Sequence, residues 1–116
     1  MLLLAGLYLG VKASLGVRPA ASSQSYVYYL SVPSTYREAQ SRVFKANQDD
    51  TVTFVVRSDR PGELHVHAYE EKAIRLRPGG EVRLTFVARD AGRFPVHLHD
   101  PDGSMRHLAV LEVQPK

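Results

Sequence analysis

The chain has 116 residues, a formal net charge of +3, 44% apolar residues and no cysteine. This is enough for one domain with a packed core, and it excludes disulfides, thiolate nucleophiles, zinc fingers and thiolate metal ligands. Lys and Arg are scattered without a dense basic run, so no nucleic-acid partner is expected.

The first predicted element is a leader. Leu2 to Val11 is a short apolar run. It falls below the roughly 20 residues of a membrane span and matches the core of a signal peptide. Ala21-Ser22-Ser23 supplies small residues for cleavage, and Arg18-Pro19 opens a linker-like stretch. Residues 1–23 are read as a signal peptide, or an uncleaved N-terminal membrane anchor, plus linker. Residues 24–116 are read as the folded domain. The expected location is periplasmic or extracellular.

From Tyr26 the pattern has period two, which predicts strands. Tyr26 to Val32 is aromatic and β-branched and stops at Pro33. A helix is predicted only in the leader and near Thr35 to Gln40. Arg42 to Ala46 is a short strand, Asn47-Gln48-Asp49-Asp50 a turn, and Thr51 to Ser58 a strong strand with Val52, Phe54 and Val56 on one face. Glu63 to Glu70 alternates Leu64, Val66 and Ala68 against His65, His67 and Tyr69. Ile74 and Leu76 mark a short strand ending at Pro78-Gly79-Gly80, and Glu81 to Ala88 alternates again. Arg93 to His99 sets Phe94, Val96 and Leu98 inward; Asp100-Pro101-Asp102-Gly103 is a loop, and Leu108 to Val113 the last strand. Short strands separated by turns predict an all-β sandwich.

The order of these features resembles the cupredoxin domain. Asp-Thr-Val-Thr-Phe begins at Asp50, a His-bearing segment follows, then Pro-Gly-Gly and an alternating strand. Ala-Gly-Arg-Phe then leads to a second His-bearing end and a closing Val-Leu-Glu-Val. The segment His65-Val66-His67-Ala68-Tyr69-Glu70 also looks like the His-x-His-Gly-Tyr-Asp segment of exported cupredoxin-like proteins. The resemblance covers residues 41–115 and implies a cupredoxin-like Greek-key β-sandwich. It also implies where a blue-copper site would sit. Counted from Gly92, the Cys position falls near Leu98 and the His position near Pro101, while Gly103-Ser104-Met105 echoes the Gly-Met end of that loop. A blue site requires a thiolate beside two imidazoles, so blue-copper electron transfer does not carry over.

Four of the five histidines form two His-x-His pairs, His65/His67 and His97/His99. On a strand, residues two apart share a face with Cα atoms about 6.6 Å apart, and neighbouring strands lie about 4.8 Å apart. If the two strands pair, as the cupredoxin order implies, imidazoles from both converge. Such a set suits Cu(II), Zn(II) or Ni(II), with copper the expected ion and zinc the next. The expected ligands are His65, His67 and His99, then His97, with Met105 and His107 third. Asp100 or Glu70 is the expected orienter of a ligand ring. Histidines on a solvated sheet face are also ordinary surface residues, and Met105 alone is an ordinary packing residue.

The sequence reading is therefore an exported cupredoxin-like domain that binds a transition-metal ion through histidines, in metal handling rather than blue-copper electron transfer, with an envelope protein as partner. A metal-free structural or interaction sandwich is the first alternative. A small cupin-like metalloenzyme is the second, because His65, His67 and Glu71 have the His-x-His-x-x-x-Glu spacing of a cupin motif.

Overall fold

The computed structural model describes residues 23–34, 42–69 and 72–116. The predicted leader (Leu2 to Val11), the predicted helix near residues 35–40, and Glu70 and Glu71 lie outside them.

Eight strands account for the described chain: β1 (Ser25–Val32), β2 (Arg42–Asn47), β3 (Thr51–Ser58), β4 (Gly62–Val66), β5 (Ile74–Leu76), β6 (Gly80–Val87), β7 (Gly92–His99) and β8 (Met105–Gln114). They form two sheets, one of order β1-β3-β6 and one of order β2-β8-β7-β4-β5. Both are mixed: β1 runs parallel to β3 and β2 parallel to β8, while the other pairs are antiparallel. The expected all-β sandwich is present.

Alternation decides which face of each strand is inside. Val52, Phe54 and Val56 of β3, Leu84 and Phe86 of β6, Leu64 and Val66 of β4, and Val96 and Leu98 of β7 are all buried between the sheets. Aromatic rings bridge the layers. The ring of Tyr28 on β1 packs at a tilt against Phe44 of β2, centroids 4.8 Å apart, and Phe44 meets Phe54 of β3 at 5.4 Å. The Tyr28 hydroxyl donates to the Lys45 carbonyl across the same gap. The turn before β3 closes on a buried carboxylate: Asp50 Oδ2 accepts the Asn47 N–H at 2.8 Å and Oδ1 accepts the Gln24 N–H at 3.0 Å. One side chain thus ties the start of the first sheet to the β2–β3 turn and satisfies its own buried oxygens.

Two elements differ from the sequence pattern. The strand predicted from Glu63 to Glu70 stops at Val66. Ala68 takes a left-handed conformation with φ of 72°, and the Tyr69 N–H closes a turn on the Val66 carbonyl at 2.8 Å. Tyr69 therefore turns inward, only 1% exposed, instead of sharing the polar face with His65. Its ring packs on Phe86 at 4.7 Å and on Phe94 at 5.7 Å. Left-handed backbone at a non-glycine costs about 1–2 kcal/mol, and burying a large aromatic offsets it with about 1.5–3 kcal/mol.

The last strand begins at Met105, not Leu108. The five-residue loop before it is closed by the Asp100 N–H on the Ser104 carbonyl at 2.8 Å and the Gly103 N–H on the Asp100 carbonyl at 2.9 Å. Gly103 has φ of 90°, which glycine adopts at no steric cost. Met105 and His107, expected in the loop, are thereby set on β8, opposite His99 and His97.

Candidate metal centre

The histidines cluster where β4, β7 and β8 run side by side. In register, His65 lies opposite His97, and His97 opposite His107. The next row is Glu63, His99 and Met105. Directly opposite residues project from the same face, with Cβ atoms about 4.5–5.5 Å apart. That face is the solvent face, because Leu64, Val66 and Leu98, which alternate with these residues, are completely buried.

A bulge makes this alignment possible. Up to Val96, β7 pairs with β8 so that Val96 faces Ala109; from His97 the register shifts by one residue. Unshifted pairing would set Leu98 opposite His107 and force a leucine out or a histidine in. The extra residue on β8 lets both Leu108 and Ala109 be buried, at 2% and 0% exposure, while His107 returns to the outer face.

His65 and His99 stack with centroids 4.1 Å apart and planes within 21°, and His97 meets His107 edge-on at 5.8 Å. His65 Nε2 lies 2.7 Å from Glu63 Oε1. An ionised carboxylate only accepts, so Nε2 carries the proton there and the neutral ring keeps its lone pair on Nδ1. Of the two residues expected to orient a ligand ring, Asp100 is engaged with Arg60, Ser104 and Arg106, and Glu70 lies outside the described residues.

Of the four predicted ligands, the structure brings His65, His97 and His99 onto one face. His67 lies beyond the end of β4, exposed in the turn, with its N–H bonded to the Pro95 carbonyl at 2.9 Å. His107 and Met105, expected last, share the face with the other three. Among the described residues, no three His, Cys, Asp or Glu side chains stand in a ligand arrangement, so a metal here would draw these side chains together by rotation.

The inner side of the same strands is built differently. Leu98, at the position the resemblance gives to the thiolate, faces Leu64, and both are 0% exposed. Beyond Leu98 the end of the sandwich is closed by a charged cluster. Asp100 Oδ2 accepts from Arg106 Nε at 2.7 Å and from Ser104 Oγ at 3.0 Å, and Arg60 Nη2 lies 3.1 Å from Oδ1. Burial opposes ionisation of Asp100 and is the largest single influence on it. The hydrogen bonds from Arg106 and Ser104 and the two guanidinium charges together outweigh it, so the carboxyl titrates below the usual aspartate range. Asp100 is therefore a structural anion for two arginines. The inner position does not fit a blue-copper ion: it offers leucine where the thiolate is required.

The sequence matches no family model and no curated protein. The fold matches copper proteins of known structure. A multicopper oxidase from Pseudomonas thermotolerans aligns with 81% of this chain at a TM-score of 0.59 and 16% identity. A blue copper oxidase from Nitrosomonas europaea aligns with 78% at 0.59 and 17% identity, and the copper nitrite reductase of the same organism with 78% at 0.55 and 20% identity. The aligned region covers 30%, 40% and 42% of these three chains, so the protein corresponds to one part of each. At such identities the likeness is one of fold. The protein is an all-β, cupredoxin-like sandwich.

Proposed function

We propose that this chain is an exported metal-handling module that binds copper, with zinc as the second candidate, through the outer-face histidines. The observation that carries the reading is the juxtaposition of His65, His97, His99 and His107 on three adjacent strands of one solvent face. Neutral imidazoles are good ligands for copper and zinc. The copper proteins that share the fold support the choice of metal, and the apolar run Leu2 to Val11 supports export. A site open to solvent suits exchange of the ion with an envelope partner better than permanent storage.

Calorimetric titration with Cu(II) and Zn(II) tests the reading. The wild type should bind with a defined stoichiometry, and His65→Ala and His99→Ala should each weaken binding. The Cu(II) form should lack the intense colour of a copper–thiolate bond. An absence of binding to copper in either oxidation state and to zinc, or equal binding by wild type and variants, overturns the proposal.

A metal-free interaction domain is the second reading. It is favoured by apolar residues on the outer face of the three-stranded sheet, where Val27, Tyr29 and Val87 are 48%, 65% and 42% exposed.

A further inference from the structure

We infer that Met105 completes the outer-face site as a thioether ligand beside His99 and His65, and that the site is selective for Cu(I). The inference rests on the metal-binding reading above and names the oxidation state that the site takes.

Met105 is 56% exposed, although methionine ordinarily fills gaps in a core. Its exposure is fixed by register: it is the direct partner of His99, and the buried leucine Leu98 sits on the other face. The side chain has three rotatable bonds and starts from a Cβ about 5 Å from that of His99. His65 lies on the other side of His99, its ring already stacked there at 4.1 Å. A sulfur and two imidazole nitrogens are thus within reach of one point above β7.

The charge of this donor set decides the ion. Thioether and imidazole are neutral, and the carboxylate of the same row, Glu63, is engaged with His65 Nε2 at 2.7 Å. That bond leaves Nδ1 of His65 as the nitrogen with an available lone pair. Divalent zinc gains little from a thioether, whereas soft thioether sulfur selects Cu(I). The site differs from a blue-copper centre in both place and composition: it lies on the outer face and contains no thiolate.

The test is a competition titration of the full chain with Cu(I) under anaerobic conditions against a coloured Cu(I) chelator, run beside calorimetry with Zn(II) and Cu(II). Met105→Leu keeps the size and apolar character of the side chain on an exposed position and removes the sulfur. It should lower Cu(I) affinity about tenfold or more, the scale on which even supporting groups of metal sites act, with Zn(II) affinity unchanged. X-ray absorption of the Cu(I) form should show sulfur scattering that Met105→Leu abolishes. Unchanged Cu(I) affinity in Met105→Leu, or an equal loss for all three ions, overturns the thioether assignment and leaves the imidazole site standing. A wild type that takes up none of the three ions overturns both.

Discussion

The inner and outer faces of β4 and β7 are built from alternate residues of the same short segments, and their chemistry is opposite. Inside, Leu64, Val66, Val96 and Leu98 are fully buried, and the end beyond them is closed by Asp100 between Arg60 and Arg106. Outside, one residue away at each step, stand His65, His97 and His99. The interior is given to apolar packing, and the exterior carries the imidazoles. The two faces share a backbone, so the comparison predicts a separation of effects: inner substitutions change stability, and outer ones change metal binding.

The largest expected effect is on the inner face. Leu98→Ala removes a fully buried side chain in contact distance of a paired leucine and leaves a cavity. It should cost about 3–4 kcal/mol of unfolding free energy, read from the denaturant midpoint. The folded fraction should still bind metal as the wild type does. Loss of binding by folded Leu98→Ala would break the separation.

A smaller effect is expected at the charged end. Asp100→Asn leaves Arg60 and Arg106 beside a neutral group. Breaking such a buried pair costs about 3–5 kcal/mol, softened here to about 2–3 kcal/mol because the Arg106 side chain is 33% exposed. The pH dependence has a definite sign. The carboxyl titrates lower in the folded protein than in the unfolded chain. Its stabilisation is therefore complete above the ordinary aspartate value of about 3.9, and it is lost as the pH falls through the folded value. Urea denaturation across the acid range should show wild type and Asp100→Asn converging as the pH falls. A constant difference at every pH would show that the charge of Asp100 is not what stabilises the loop.

Much of this division is legible in the sequence, because strict alternation sets leucines and valines against histidines on β4 and β7. It fails at β8 for a physical reason. Counting back by two from the buried Val113 and Leu111 reaches Ala109 and then His107, which would place that histidine in the core. The bulge at Leu108 reverses the parity, and no local propensity announces it. The short loop around Asp102 was the available signal: pairing outward from it sets Met105 against His99 and His107 against His97. Tyr69 escapes alternation because Ala68 adopts a left-handed conformation, which alanine disfavours. The Arg60–Asp100 pair is 40 positions apart in sequence and follows only from the sheet topology.

The smallest expected effect on stability is at the histidines themselves, and it sharpens the comparison most. His65 and His99 lie on the solvent side, with the His65 side chain 20% exposed. Their ring stack has a centroid distance of 4.1 Å and contributes on the order of 0.5–1 kcal/mol. The His65–Glu63 contact adds little, because Glu63 is itself 47% exposed and water competes for it. Neither ring fills space between the sheets, so no cavity follows their removal. The double variant His65→Ala/His99→Ala should therefore unfold within about 1 kcal/mol of the wild type when no metal is added. Added Cu(II) should raise the midpoint of the wild type by mass action, because an ion that binds the folded state preferentially stabilises it. The double variant should gain nothing from the same addition. A metal-dependent shift retained in the double variant would move the site away from β4 and β7. A large loss of stability without metal would mean that these histidines are held by the fold, and that the outer face is structural after all.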